Sequence, residues 1–212
     1  MYPTREKSIR TANVDSRPEP ARWPYRGAIE DFANTLHAAQ AGQEWAVAIL
    51  FDALQPPLLR FLRWQEPSVA EDLAAETWLA VAERIGSFDG GEGQFRAWVF
   101  VIARRRLADH RRRAARRRTA PVEREILEAV ADLDDPADRV VEQLSAEEAI
   151  AHLVASLPPD QAEVLMLRVV GGLTVDESAE VMGKRPGTVR VLQHRALRRL
   201  ARELGSRSIV EV

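Results

Sequence analysis

The chain has 212 residues, 46% of them hydrophobic, which allows one large domain or two small domains with cores of their own. The absence of cysteine excludes disulfides and thiolate metal sites. The absence of a signal-peptide core or a hydrophobic run of membrane-spanning length predicts a cytoplasmic protein without membrane insertion. The net charge of −2 excludes nothing by itself, because arginines are concentrated in residues 104–118 and acids in residues 123–163.

The first helical pattern follows an N-terminal extension. Residues 1–27 contain four prolines and scattered charge, and we expect this extension to be mostly disordered. Hydrophobic side chains then recur at helical spacing, and the pattern predicts a helical domain over residues 28–118. Within this domain Pro56 and Pro57 predict a break, with a new helix over residues 58–64.

The second half of this domain contains a predicted loop between two helices. Residues 68–71 (Ser-Val-Ala-Glu) have the sequence of a capping box, which predicts a helix from there to Gly86. The glycine-rich residues 87–94 predict a flexible loop. A strong helix then begins at Phe95 and continues into the arginines of residues 104–118.

The remainder of the chain predicts an acidic linker and a second helical domain. Residues 119–144 are rich in acids, whereas residues 145–205 return to helical spacing and are followed by a tail over residues 206–212. Further capping boxes at residues 145–148 and 174–177 mark helix starts. Because no strand pattern is present, the sequence predicts an all-α fold with two small helical domains joined by an acidic linker.

The last two predicted helices have the pattern of a helix-turn-helix, with Gly183 in the turn and a second helix from Pro186 to about Leu204. In such a motif the second helix enters the major groove, where arginine pairs with guanine and glutamine with adenine. An ordinary helical hairpin with a solvated basic face is the alternative, since surface arginines are common. The predicted inner face is Val189, Leu192, Ala196 and Leu200, and the candidate DNA contacts are Arg185, Pro186, Gly187, Thr188, Arg190, Val191, Gln193, His194, Arg195 and Arg198.

The arginine-rich helix predicts contact with single-stranded nucleic acid. Its start carries Phe95, Trp98 and Phe100 beside the glycine-rich loop. Arginines can follow phosphates while aromatic groups take unstacked bases. A solvated charged face is the alternative for the arginines, and core packing is the alternative for Phe95, Trp98 and Ile102. For Trp98 the two interpretations are equally supported.

No arrangement for catalysis or metal binding is present in the sequence. Asp72 and Glu76 are four residues apart on one helix face, but the helix dipole favours acids in a first turn whatever the function. The four histidines match no ligand pattern, and there is no P-loop or nucleophile elbow. We therefore expect no enzymatic activity, no metal and no cofactor.

Two blocks of the sequence resemble the extracytoplasmic-function (ECF) type sigma factors of bacterial RNA polymerase. One block, AEDLAAETWLAVAERIGSFDGGEGQFRAWVFVIARRRLADHRRR, looks like region 2 of that family. The other, LPPDQAEVLMLRVVGGLTVDESAEVMGKRPGTVRVLQHRALRRL, looks like region 4. The resemblance covers about residues 40–118 and 145–204. The order of the blocks and the acidic linker between them also agree with the family.

The resemblance implies an alternative sigma factor, which binds core RNA polymerase and directs it to promoter DNA without catalysing a reaction. Region 4 would bind the −35 element as duplex through the candidate contacts above, and it would touch the polymerase β flap. The linker would run towards the active-site channel, and many family members are held inactive by an anti-sigma factor. Region 2 would bind the β′ clamp helices through Asp72, Leu73, Glu76, Trp78 and Leu79. It would open the −10 element and hold the unpaired strand through Phe88, Asp89, Gly90, Gln94, Phe95, Trp98, Arg104, Arg105, Arg106 and Arg112.

Three positions depart from the family pattern. The family often has Gln at the position of Ala75 and Phe at the position of Trp78, which affects the clamp contacts. It often has Asn at the position of Arg105, which affects the −10 base preference.

Two other functions are compatible with parts of the sequence. The main alternative is a stand-alone helix-turn-helix regulator that binds duplex DNA as a dimer, although such a protein leaves the loop and the arginine helix without a role. A more distant alternative is an adaptor that binds only proteins.

Overall fold

The computed structural model describes residues 29–119 and 153–207, and within these two ranges the chain is helical and contains no β-strand. The all-α prediction is therefore confirmed. The predictions for residues 1–27, for most of the linker and for the capping box at residues 145–148 lie outside the described residues. The helices are α1 (Phe32–Gln40), α2 (Glu44–Gln65), α3 (Ala70–Arg84), α4 (Glu92–Thr119), α5 (Pro159–Leu165), α6 (Val175–Met182) and α7 (Pro186–Arg207).

Helix α2 runs without a break through Pro56 and Pro57, so the predicted interruption at these prolines is wrong. Each proline removes one backbone donor from the helix and disfavours its continuation. The hydrophobic stripe on both sides of them outweighs this cost, because Leu54, Leu58 and Phe61 are all almost completely buried. Burial of these side chains before and after the prolines therefore keeps the two predicted helices joined as one continuous helix.

Helix α2 also has the length and composition of a membrane span. It has 22 residues with a mean hydropathy of 1.3, so the prediction that no run reaches this length is wrong by that criterion. A core helix of a bundle meets the same criterion, and α2 packs against α1, α3 and α4. These contacts explain its buried residues, such as Leu50, Leu54 and Leu58, whereas other large apolar side chains of α2 remain exposed.

The predicted capping box at the start of α3 does not form. Pro67–Val69 make a short 3-10 turn that leads directly into α3, and no side chain caps the helix at Val69. Glu71 instead accepts hydrogen bonds from Nε and Nη2 of Arg63, at 3.2 and 2.8 Å. The hydrogen bond from Arg63 lowers the pKa of Glu71 below its ordinary value. The acid therefore ties α3 to α2.

The capping box at the start of α6 is confirmed. The Thr174 hydroxyl accepts from the backbone N–H of Glu177 at 3.2 Å, and the Glu177 carboxylate accepts from the backbone N–H of Thr174 at 2.7 Å. The helix ends at Gly183, whose φ of 63° lies in the left-handed region that glycine adopts without strain. Helix α7 then begins at Pro186, so the turn of the predicted helix-turn-helix has three residues.

One hydrophobic cluster joins the N-terminal unit (residues 29–119) to the C-terminal unit (residues 153–207). Helix α4 lies at the centre, with α2 and α3 on one side and α6 on another. The ring of Phe100 meets Phe61 of α2 edge to face, with 5.5 Å between the ring centroids. The two units therefore form a continuous packed body in the described part of the chain.

Removal of the Phe61 ring is expected to destabilise the fold more than any surface change. Phe61 is fully buried, and replacement by alanine should lower the free energy of unfolding by about 3–5 kcal/mol, because it leaves a cavity. Urea unfolding followed by circular dichroism measures the effect. Leu197→Ala is the matched control, since Leu197 is 49% exposed. Equal losses in the two variants would contradict the core assignment.

Candidate nucleic-acid interface

The C-terminal half of α4 presents a cationic surface. Arg105 and Arg112 are exposed and Arg106 is half-buried. Arg112 pairs with Asp109 one turn earlier, and the hydrogen bond from Arg112 lowers the pKa of Asp109. The arginines are held on a regular helix, which spaces their charges along one rigid element. Further exposed arginines on this helix, not singled out by the sequence, are Arg111, Arg113, Arg116 and Arg117.

The end of α2 holds this cationic helix in place. Arg111 donates to the Glu66 carboxylate at 2.7 Å, and it also reaches the Gln65 side chain at 2.9 Å. The contact fixes the middle of the arginine-rich segment against the N-terminal unit. The remaining arginines therefore extend beyond a firmly attached part of α4.

The loop before α4 is short and closed by its own side chains. Gln94 belongs to the first turn of α4 rather than to the loop, and its Oε1 accepts from the backbone N–H of Gly91 at 2.8 Å. A Cβ at Gly90 would lie 2.9 Å from the Gln94 side chain and from the ring of Phe88, so a larger residue here would have to displace these two side-chain ends. The predicted loop is thus narrower than residues 87–94, and Asp89 is its exposed tip.

Three aromatic side chains predicted to hold the unpaired strand form one cluster. The Phe88 ring lies 5.3 Å from Phe95 and 5.0 Å from Trp98, measured between centroids. Phe95 is completely buried, whereas Phe88 and Trp98 are half-buried. In this arrangement Phe95 has no surface to offer a base, and it packs beneath the two half-buried rings.

Arg104 differs from the other candidate strand contacts because it reaches the C-terminal unit. Its Nε donates to the Glu163 carboxylate at 2.7 Å, and the Glu163 side chain is only 9% exposed. Arg105, one residue further, is exposed. Part of the predicted strand-binding surface, at Arg105, therefore faces solvent, and another part, at Arg104, lies where the two units meet.

The helix-turn-helix is formed by α6 and α7, and its predicted inner face is confirmed. Val189 and Ala196 are fully buried, and Leu192 and Leu200 pack against the core. The residues at the start of α7 remain on the outside, and Val191 is 48% exposed. The exposed candidate contacts in this part of the helix are Arg185, Pro186, Gly187, Thr188 and Arg190.

The other candidate contacts of α7 lie in a different environment. Gln193 is half-buried and accepts from Nε of Arg168 at 3.3 Å, so its amide is oriented by the unit itself. The remaining three candidates, His194, Arg195 and Arg198, face a cavity of about 620 Å³ beside Gln161. Sequence reasoning missed two arginines that line the same cavity and recur at helical spacing. The five basic residues of the cavity are His194, Arg195, Arg198, Arg199 and Arg202.

The candidate polymerase contacts lie on the α2–α3 surface, which we define as Phe51, Asp72, Glu76, Trp78 and Leu79. Leu79 is 66% exposed, and the Trp78 ring lies 5.0 Å from Phe51 of α2. Asp72 is exposed and Glu76 is half-buried at its edge. The result is an apolar surface with an acidic border, which is typical of protein interaction sites.

Two features of this surface differ from the sequence prediction. Leu73 is only 2% exposed, so it belongs to the core and not to the surface. Trp78 donates its indole N–H to Gln55 of α2 at 2.7 Å, which fixes the ring against that helix. Sequence reasoning missed the contribution of α2 to this surface, which is the ring of Phe51, 38% exposed and packed beside Trp78.

No group of three or more His, Asp or Glu side chains in residues 29–119 and 153–207 is placed to hold a metal ion.

Comparison with known proteins places both units in one family. Residues 50–117 match Sigma-70 region 2, and residues 147–200 match Sigma-70 region 4. The ECF RNA polymerase sigma factor ShbA of Streptomyces griseus is 37% identical over 175 residues, which cover 78% of this chain and 91% of that protein. The chain belongs to the ECF sigma factors. A second ECF relative, BldN of Streptomyces coelicolor, is 39% identical over 80% of this chain, and the match spans 64% of BldN.

The resemblance drawn from the sequence is therefore confirmed. The chain is an alternative sigma factor, which binds core RNA polymerase and directs promoter recognition in transcription initiation. The fold agrees with a solved structure of the sigma factor RpoE with the anti-sigma factor NepR from Bartonella quintana. That structure has a TM-score of 0.55 at 22% identity and covers 73% of this chain and 94% of its own. Nothing in these comparisons favours a stand-alone regulator.

Proposed function

We propose that this sigma factor divides promoter recognition between its two helical units. The start of α7, with Arg185, Thr188 and Arg190, binds the −35 element as duplex, because such a helix fits the major groove and arginine pairs with guanine edges. The loop before α4 and the arginines of α4 hold the unpaired strand of the −10 element. The observation that supports this division most is that each unit carries exposed arginines on a helix of its own.

Promoter opening follows from this division without any catalytic group. The −10 contacts can form only when the strands are apart, so their binding energy favours the melted state over the duplex. Contacts to the −35 element are the same in both states and serve to position the complex. The chain itself catalyses no reaction, needs no cofactor and acts in the cytoplasm with the polymerase.

The α2–α3 surface is our proposed site for the β′ clamp helices of core polymerase. Leu79 and the ring of Trp78 supply apolar area, and the carboxylates of Asp72 and Glu76 supply charge complementarity to a basic partner. A few anchors carry most of the binding energy in protein interfaces, and Trp is among the residues enriched in that role. The C-terminal unit makes the second contact, with the β flap.

An anti-sigma factor is a further proposed partner. The sigma factor RpoE from Bartonella quintana, which shares this fold, is in complex with the anti-sigma factor NepR. The exposed apolar side chains of α2 and α3 give this chain a surface that such a protein could cover. Covering it would prevent the chain from binding polymerase.

Run-off transcription with core polymerase on a library of genomic fragments tests the proposed function. We expect initiation at a small set of start sites that share −35 and −10 elements, and only when both proteins are present. Protection of a palindromic site by the chain alone, without any initiation by polymerase, would establish the stand-alone regulator instead.

Arg105 is expected to set part of the −10 base preference. It is exposed on α4, at a position where the family often has Asn. Arg105→Asn should therefore change the preferred base at one −10 position by about 1–3 kcal/mol, because the two side chains present different hydrogen-bond donors and acceptors. Transcription from promoters randomised over the −10 element measures the change. Arg117→Asn, also exposed on α4, should leave the preference as it is.

A further inference from the structure

One side of α2 carries large apolar side chains that no other part of the described chain covers. Trp45 is 51% exposed and Ile49 is 41% exposed, and their spacing of four residues places them on the same side of the helix. Asp52 and Pro56, which are also exposed, continue this side at helical spacing. These four residues form what we call the outer face of α2. It points away from Phe51, so the proposed clamp contact leaves it unused.

The start of α1 brings the preceding part of the chain close to the outer face. Helices α1 and α2 pack against each other and are joined by residues 41–43, so they run antiparallel. Since α1 has 9 residues and is about 13 Å long, its start lies level with about the third turn of α2, at an axis separation of about 8–10 Å. Ile29, which is buried, anchors the chain just before this point. The residues that precede Ile29 therefore enter beside the outer face.

Shortly before Ile29 the chain has two aromatic residues whose spacing matches the outer face. Trp23 and Tyr25 are six and four residues before Ile29, so an extended chain would carry them about 20 and 13 Å from it. Pro24 favours extended conformations at Trp23, and in an extended chain side chains two residues apart point to the same side, about 6.6 Å from each other. The apolar pair of the outer face is about 6 Å apart along α2. The two pairs therefore fit each other side chain to side chain.

Charges of opposite sign flank the two apolar pairs. Arg22 and Arg26 flank the aromatic pair of the N-terminal segment. The exposed Glu44 and Asp52 flank the apolar pair of α2. A segment that runs from Ile29 towards the start of α2 brings Arg26 near Asp52 and Arg22 near Glu44. Complementary charges of this kind fix the register of a contact, so they favour this segment over an arbitrary apolar peptide.

The short connection favours the chain's own segment over a second copy. A tether of a few residues gives a local concentration on the order of 1 mM. A contact with a Kd of about 0.1 mM between separate pieces would then be about 90% occupied within one chain. A second copy at about 1 µM would occupy the same face to only about 1%.

We propose that residues 22–26 bind the outer face of α2 in the free chain and form an added layer of the N-terminal unit. Trp23 covers Trp45, and Tyr25 covers Ile49. The proposal goes beyond the proposed function and does not depend on it, because the α2–α3 surface lies on another side of α2 and stays free. The segment thereby shields an apolar face that would otherwise promote association with other proteins.

A disulfide tests the register of this contact. Because the chain has no cysteine, Arg22→Cys with Glu44→Cys introduces one thiol pair and keeps both apolar pairs intact. We expect the intramolecular disulfide to form at least about 10-fold faster under mild oxidation than in the control, Arg22→Cys with Glu83→Cys. Glu83 is an exposed acid of α3, so the control loses the same charges.

Two outcomes of the disulfide experiment would overturn the proposal. Equal rates in the two double variants would show that the segment has no preferred position on α2. Disulfide-linked dimers in place of the intramolecular product would show that a second copy occupies the outer face. Gel filtration under denaturing conditions separates the monomeric and dimeric products.

A double-mutant cycle tests the aromatic contact without cysteines. Trp23→Ala and Trp45→Ala should each raise the equilibrium constant of unfolding about fivefold, measured by urea unfolding and circular dichroism. The double variant should also show about a fivefold change rather than about 25-fold, because either substitution removes the same contact. Trp23→Ala with Val191→Ala, a residue 48% exposed on α7, is the control whose effects should multiply. Effects that multiply for Trp23 and Trp45 as well would overturn the contact.

Discussion

A Leu79→Asp sigma factor is expected to bind core RNA polymerase roughly 30-fold more weakly than wild type, a loss of about 2 kcal/mol. Leu79 is 66% exposed beside the Trp78 ring, so the change places a charge where the proposed clamp contact excludes water, while the fold of the chain is untouched. Titration of labelled chain with purified core polymerase, followed by fluorescence anisotropy, gives the affinity. Run-off transcription should fall in parallel at subsaturating sigma factor.

The control for this prediction is Ile49→Asp. Ile49 is 41% exposed on α2 and lies two residues from Phe51, so the two side chains point to different sides of the helix. The control carries the same new charge but lies outside the α2–α3 surface. Equal loss of affinity in both variants would show that the α2–α3 surface has no special role.

Arg190→Ala is expected to remove recognition of one base pair in the −35 element. Arg190 is exposed near the start of α7, where a recognition helix reaches base edges. Loss of a bidentate contact to guanine costs about 1–3 kcal/mol, so transcription from the preferred promoter should fall roughly 5- to 150-fold at limiting holoenzyme. Transcription from promoters randomised over the −35 element measures both the loss and the position affected.

A matched loss of charge distinguishes base recognition from general attraction to DNA. Arg84→Ala removes an exposed arginine from the end of α3 and should leave the −35 preference intact. Arg190→Ala should relax the preference at one position, whereas a phosphate contact would weaken all sequences alike. An unchanged −35 preference in Arg190→Ala would show that Arg190 does not contact the bases of the −35 element.

Local sequence signals predicted the fold well where one residue's chemistry decides the structure. The Thr174–Glu177 capping box and the turn at Gly183 both formed as expected, because caps and tight turns depend on a few adjacent residues. The break at Pro56 and Pro57 did not form, because burial of the surrounding leucines outweighed the local preference of proline. Tertiary packing of this kind is not visible in a short window of sequence.

The candidate site was predictable in its elements but not in its contacts. The stripe of Phe95 and Ile102, which runs on through Ala103 and Leu107, indicated a core face of α4, yet Phe100 is buried as well. This further apolar side chain was the available signal that α4 has another partner. The identity of that partner, the C-terminal unit, depended on contacts between residues far apart in the chain, which the spacing of residues alone does not specify.

Permanganate footprinting of a promoter tests the central claim most directly, since this reagent oxidises unpaired thymines. The claim is that one unit binds unpaired bases while the other binds duplex, both held by polymerase. We predict reactive thymines within the −10 element and none within the −35 element, only when the chain and core polymerase are both present. A promoter that stays unreactive under the complete holoenzyme, at a start site from which it transcribes, would contradict the division between the two units.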